Sequence, residues 1–421
     1  MQMSLNHTRT EAAPTTRLRQ CDFNPLSFGM NFGAIACEFF AQNAQEYEDS
    51  CTDDVLLFLG LDLVAFSQVQ QRRLVLGVTC RLPGQFTLSE WSLNHHGSFF
   101  RFKGDDITLL QVVLGIPEDV VLPNRGVVPG IEVTCLMLRR MTFPARWIDI
   151  QAMFRRDVGT LSRMFLWAVR FLCLKFGPLL YWDDNRLSKH QLLAYSHSVL
   201  ARGSRLANVW GFIDGTFVRC CRPTEGKSCR MHVHAWCTSG QRSVYNGWKR
   251  AHGWKFQAVQ APDGIIAHLA GPYEGRRNDT GIFTRSLLGA LVEAKMREWG
   301  IHLVMYGDAG YLGRSDVFVA PHSTVGITPQ QEMENMNMSR VRVCVEHAFG
   351  KVCNLWHYMM CYRQLKTMKQ PVGRFYQLAV LLTNCHTCMY GSQTGRAFRC
   401  EPPDLCTYLR TAQMEGEPLD S

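Results

Sequence analysis

The chain has 421 residues, 46% of them hydrophobic, and a formal net charge of +9. That length leaves room for two or three domains, and that apolar content excludes global disorder. The moderate basic excess is compatible with nucleic acid without establishing it.

Residues 1 to about 50 are polar and lack periodicity, which predicts a poorly ordered arm. Residues 51–205 then read as mostly helical. They begin with an apolar stretch, VLLFLGLDLVAF, continue through FRFKGDDITLLQVVLGIP, and reach a connector, VVLPNRGVVPG, whose Pro123, Pro129 and Gly130 break any helix. From 131 to 177 the pattern gives a helix over IEVTCLMLRRM, a second over ARWIDIQAMF, a turn at RRDVG and a longer third helix, TLSRMFLWAVRFLCLKF. That spacing is helix-turn-helix-like, and Arg155, Arg156, Arg163, Arg170 and Lys175 could then meet phosphate. A plain helical bundle fits as well, because the third helix is apolar on more than one face. It is not read as a membrane span: Arg170 and Lys175 interrupt it, and about 20 uncharged apolar residues are needed.

From 206 to 393 strands alternate with helices. VWGFID reads as a strand, and KFQAVQAP and IIAHLAGP flank Asp263-Gly264 as a hairpin. One amphipathic helix is expected from DTGIF to REWG with Asp279 as its N-cap, then strands HLVMYGD and DVFVAP, then a helix over MSRVRVCVEHAFGKVCNLW. The fold class is α/β, a mixed sheet with helices against it. Residues 394–421 read as a loosely packed polar tail.

Seventeen cysteines raise the question of disulfides. The start, MQMSLNHTRTEAAP, has no apolar core of a secretory signal and the count is odd, so reduced thiols in an intracellular compartment are expected. Cys220, Cys221, Cys229, His232, His234 and Cys237 form a dense cluster whose spacing fits no standard zinc pattern. Zinc is therefore not expected. Cys385-His-Thr-Cys388 falls in an apolar helical segment and is read as structural.

Three acids stand in unusual contexts: Asp214 in GFIDGTF, Asp308 in VMYGDAGY and Glu346 in VRVCVEHAFG. A strand-borne aspartate beside a glycine and another at a strand's C-terminal end suit a site at a sheet edge. Glu346 lies off the apolar stripe Val341, Val345, Ala348, Val352 and Leu355, and Arg342 is one turn before it, placed to screen it or to hold a phosphate. Phosphodiester cleavage by two divalent ions about 4 Å apart needs a few carboxylates of this kind, with Mg²⁺ (or Mn²⁺) the fitting ion. Singly, each acid is more often a turn former or a solvated side chain. Lys249, Arg250, His252 and Lys255, laced with Tyr245, Trp248 and Trp254, suit a nucleic-acid strand by charge and stacking, or form an exposed hairpin with buried tryptophans. Arg276 and Arg277 are placed to touch phosphate, and Asp279 after them is a cap or an accessory fourth acid.

From about Phe100 to Met389 the chain resembles the Harbinger-type DDE transposases, cut-and-paste DNA transposases and their domesticated relatives. The resemblance rests on WGFIDGTF, RSVYNGWKRAHGWKFQAV, PDGIIAHLAGPYEGRRNDTGIF, YGDAGY and MSRVRVCVEHAFG, in the family's order. It implies a ribonuclease-H-like nuclease core preceded by a helix-turn-helix region. The family's three acids fall on Asp214, Asp308 and Glu346. Asn278 stands where the family often has His, and Trp248 where its Tyr-x-Gly-His-Lys has His. The resemblance further implies cleavage of terminal inverted repeats and joining to target DNA, a homo-oligomer, a Myb-like accessory protein and a nuclear location reached with that partner. A domesticated DNA-binding or scaffold protein without transposition is the alternative.

Overall fold

A computed structural model of the chain describes residues 86, 88–90, 93–223, 241–308, 316–323, 325–367 and 369–410. The expected N-terminal arm, the apolar stretch after it, Cys229, His232, His234, Cys237 and the last part of the tail lie outside the described residues.

Helices α1 (Leu93–Phe100) and α2 (Gly104–Leu114) lead into a short antiparallel hairpin, β1 (Asp119–Val121) and β2 (Val127–Pro129). The Pro/Gly-rich connector is this hairpin. Then come α3 (Gly130–Thr142), α4 (Trp147–Phe154) and α5 (Val158–Tyr181). Asp157 starts α5 by accepting from the Thr160 amide at 2.9 Å. Helix α6 (Lys189–Ala201) closes the helical region.

The sheet follows. Strand β3 (Val209–Arg219) lies at its centre, antiparallel to β5 (Ala251–Gln260) and parallel to β7 (Val304–Tyr306). Strand β6 (Ile266–Glu274) and the two-residue β4 (Tyr245–Asn246) pair with β5 on its other edge, and β8 (Phe318–Val319) runs parallel to β7. The β5–β6 turn at Asp263-Gly264 is the expected hairpin, with Gly264 at φ 87°, a backbone that glycine adopts without strain. Between β6 and β7 lie α7 (Asp279–Ser286) and α8 (Leu288–Trp299), broken at Leu287 with φ 53°, where one helix was expected. Helix α9 (Pro329–Leu355) opens with a capping box at Thr328 and Gln331, and α10 (Val372–Tyr390) follows it.

Helix α5 is long and apolar enough to cross a membrane by length and composition. Here it packs against α3, α10 and β6. Leu161, Phe165, Ala168, Leu172 and Phe176 are all buried. That burial places one face of α5 in the core of the helical region. Helices on both sides of the expected boundary at 205/206 share one core: Phe165 of α5 meets Tyr358 and Phe375, and Phe102 meets Trp356.

Residues 394–410 correct the expectation of a loose tail. They form α11 (Gln393–Phe398) and α12 (Leu405–Leu409), with Phe398, Tyr408 and Leu409 buried. Asn384 donates to the Tyr408 hydroxyl at 2.8 Å, and Arg410 pairs with Asp183. Capping by Ser392 and Asp404 makes such short helices viable in a polar stretch.

His268 on β6 is fully buried, 2.5 Å from the Tyr181 carbonyl through Nδ1, and burial pushes its pKa down to about 4 against that bond. The fold keeps it neutral down to that pH, whereas the unfolded chain takes up the proton below about 6.5. Its contribution is therefore full above 6.5 and lost as pH falls toward 4. Urea unfolding is expected to show roughly 2 kcal/mol less stability at pH 5 than at pH 7 from this residue. His268→Leu should flatten that part of the profile.

Candidate active site

Strand β3 is rich in β-branched and aromatic residues and carries Asp214 at its middle, opposite Ala258 of β5. Phe212 of β3 is in parallel register with Tyr306 of β7. Asp214 and Asp308 each follow that pair by two residues, Asp214 within β3 and Asp308 just past the end of β7. Helix α9 packs on β3 through Val341 and Val345, and this leaves Glu346 on its open side, 53% exposed. One turn earlier, Arg342 donates through Nη2 to Glu346 Oε1 at 2.7 Å and through Nη1 to Asp214 Oδ2 at 3.3 Å. One guanidinium thus joins a strand acid to a helix acid 132 positions away (346 − 214).

Burial raises the Asp214 pKa to about 6. The Gly215 amide, 2.7 Å from Oδ1, and Arg342 pull it down, while the charges of Asp308 and Asp279 push it up. Asp214 therefore senses two further acids. Asp279 does not cap α7: Asn278 does, accepting from the Gly281 amide at 3.0 Å. With Asn278 carrying the cap, Asp279 turns toward the sheet, where Lys255 Nζ pairs with it at 2.8 Å. A Cβ on Gly215 would stand 2.6 Å from Asp279 Oδ1, so the glycine after Asp214 permits this close approach.

The basic residues divide. Arg156 is 10% exposed and locked to fully buried Glu132, with Nη2 to Oε2 at 2.7 Å, a pair that holds α3 to the turn before α5. Arg163 bonds Thr160 and Asp157 beside the start of α5. Arg155 ends α4 with φ 51°, in the open. Lys255 and Arg342 are mostly buried and paired with acids. Arg276 and Arg277 share Glu274. Lys249 and Arg250 are exposed. Trp254 is half-buried and donates to Thr367 at 3.3 Å, whereas Trp248 is 91% exposed.

The candidate donors Asp214, Asp308, Glu346 and Asp279 are all carboxylates, which suits a hard divalent cation such as Mg²⁺ in kind. In arrangement, Arg342 already holds one oxygen each of Asp214 and Glu346. Among the described residues no group of three or more His, Cys, Asp or Glu lies close enough to hold a metal ion. Of the Cys/His cluster, Cys220 is buried, with its pKa pushed up to about 11 by burial. Cys221 bonds the Arg363 carbonyl at 3.1 Å. Cys385 and Cys388 sit on α10 as free thiols, their pKa values raised by burial.

Two features had no clear signal in the sequence. Tyr306 is buried, its hydroxyl lacks a hydrogen-bond partner among the described residues, and burial raises its pKa to about 12 while the Arg342 charge lowers it. A cavity of about 500 Å³ begins at Glu346 and continues along α9 past His347 and Lys351 to His386 and Arg396. The spacing Glu346, Gly350, Asn354 on one helix face could have indicated its wall.

Residues 213–384 match the family model described as DDE superfamily endonuclease. The span includes Asp214, Asp308 and Glu346. This similarity supports a transposase-derived nuclease family, for which DNA is the implied substrate and divalent metal ions the general requirement. Neither the curated proteins nor the solved structures searched contain a match to the chain.

Proposed function

We propose that the chain is a metal-dependent DNA endonuclease and strand transferase with a ribonuclease-H-like core, of the Harbinger type. It would cut terminal inverted repeats and join the freed ends to target DNA. The observation that carries this reading is that Asp214 on the central strand feels the charge of Asp308, just past the neighbouring strand, and shares Arg342 with Glu346 of the packed helix. The strand order β6-β5-β3-β7-β8, three antiparallel and then parallel, supports the core assignment.

Asp214, Asp308 and Glu346 would hold Mg²⁺ or Mn²⁺, two ions in the full site. When bound, these ions supply the charge that activates the attacking oxygen and stabilises the leaving one. Arg342 offsets the carboxylate charge that would otherwise repel a phosphodiester, and a guanidinium released from Asp214 suits a phosphate oxygen. Lys255 draws the Asp279 carboxylate to itself and so limits its repulsion of Asp214. A homo-oligomer, a Myb-like accessory protein and import with it into the nucleus complete this reading.

The protein is expected to nick duplexes carrying terminal inverted repeats in Mg²⁺ or Mn²⁺, and not in EDTA. Strand transfer is then scored as joining of a 3′-hydroxyl end to plasmid DNA. Binding with no cleavage in either metal overturns the enzymatic reading. One observation favours that second reading, a domesticated DNA-binding or scaffold protein: Arg342 already occupies one oxygen each of Asp214 and Glu346.

A further inference from the structure

The turn between β4 and β5 carries Gly247, Trp248, Lys249 and Arg250, all exposed. Trp248 is 91% exposed, so it contributes almost nothing to packing. A side chain that could bury some of the largest apolar areas in a protein is left in water, on a turn that is held firmly. Buried Asn246 donates to the Gly275 carbonyl at 2.7 Å and accepts from the Lys249 amide at 2.8 Å. Gly275 is wedged against the backbones of Val244 and Gly253, where any Cβ would collide. Tyr245 lies against His252 with ring centroids 5.1 Å apart. The platform is therefore preorganised, and little entropy remains to be lost on binding.

The surroundings favour an anion. Lys249 and Arg250 flank the indole, and the Asn246–Gly275 link brings Arg276 and Arg277 to the base of the same turn. Glu274 is the carboxylate that meets these two arginines. Trp248 is seven residues from Lys255, hence within roughly 25 Å of the Lys255–Asp279 pair that touches Gly215. A flat aromatic face bordered by cations suits a nucleobase whose own phosphates the cations hold.

We propose that Trp248 stacks on an unpaired nucleobase, so that this protein prefers DNA with an unstacked base near the cleavage site over fully paired duplex. The inference rests on the DNA-cleaving reading for its position but not for its test, which measures binding alone. A base inside a duplex has both faces covered by its neighbours, and a rigid exposed indole can replace one of them once the base has left the stack. Lys249 and Arg250 contribute to both kinds of DNA, and Trp248 discriminates between them.

The test uses the full-length protein at fixed salt in EDTA, with a paired duplex and a duplex carrying one unpaired 2-aminopurine near its end. Wild type should bind the unpaired form about tenfold tighter, with a change in 2-aminopurine fluorescence. Trp248→Ala should abolish both the preference and the fluorescence change, and Trp248→Phe should keep most of each. Lys249→Ala with Arg250→Ala should weaken both DNAs alike. Circular dichroism of the Ala variant should match wild type, since the residue is exposed. The inference is overturned if Trp248→Ala keeps the preference or if wild type has none. It is also overturned if the Ala variant alters sedimentation but not DNA binding, which would make the turn a protein contact. A wild type that never cleaves, yet shows the Trp248-dependent preference, sinks the nuclease reading and leaves this one standing.

Discussion

Asp308→Asn should lower Mg²⁺-dependent strand cleavage by about 10³-fold or more, equivalent to about 4 kcal/mol of transition-state stabilisation. The amide keeps the shape of the carboxylate and removes its charge. Asp308 follows β7 at half-burial, outside the hydrophobic clusters, so DNA affinity and the urea midpoint should stay near wild type. Asp214→Asn should be equally inactive but more stable. Burial raises the Asp214 pKa from 3.8 to about 6, so the folded state resists ionising it. The wild type therefore loses stability as pH rises from about 4 to 6, and above that range the neutral Asn should be favoured by on the order of 3 kcal/mol. Thermal unfolding at pH 5 and pH 7.5 measures that difference. Cleavage at the wild-type rate by Asp308→Asn would falsify the proposed site.

Glu132→Ala is expected to cost about 3–5 kcal/mol of stability, a large part of the whole for an ordinary protein. Glu132 is fully buried in the first turn of α3, and Arg156 reaches it across 24 residues with side-chain exposure of 10%. Burial raises the Glu132 pKa, and the bonds and charge of Arg156 hold it down. Removing the glutamate strands a guanidinium in the core. The double variant Glu132→Met with Arg156→Leu should recover most of the loss, because apolar groups of similar size replace a buried pair at little cost. Urea unfolding of the two variants separates this account from one in which Arg156 is a DNA contact. A DNA contact would change binding and leave the unfolding midpoint alone.

Where the sequence was informative, a short-range pattern carried the information. The alternation on either side of Asp263-Gly264 and the stripe Val341, Val345, Ala348, Val352 fix local geometry regardless of the rest of the chain. The placement of Asp214 on a strand and of Glu346 on a helix was legible for the same reason. What failed depends on contacts distant in sequence. Arg156 reads as a surface cation until Glu132 is seen beneath it. Asp279 reads as a cap because both Asn278 and Asp279 can cap, and Lys255, which draws it away, is 24 residues earlier. The tail reads as polar because Phe398, Tyr408 and Leu409 are few, and their burial depends on β3, Asn384 and α10.

The common core of the helical region and the sheet has a consequence for inheritance. Phe165 and Phe375, or Phe102 and Trp356, lie 210 and 254 positions apart in the chain (375 − 165 and 356 − 102) and side by side in the protein. A gene copy that lost its 5′ half would not encode a smaller folded protein, because the remaining sheet would show its apolar underside to water. The sheet is not a portable module for recombination to graft onto other proteins.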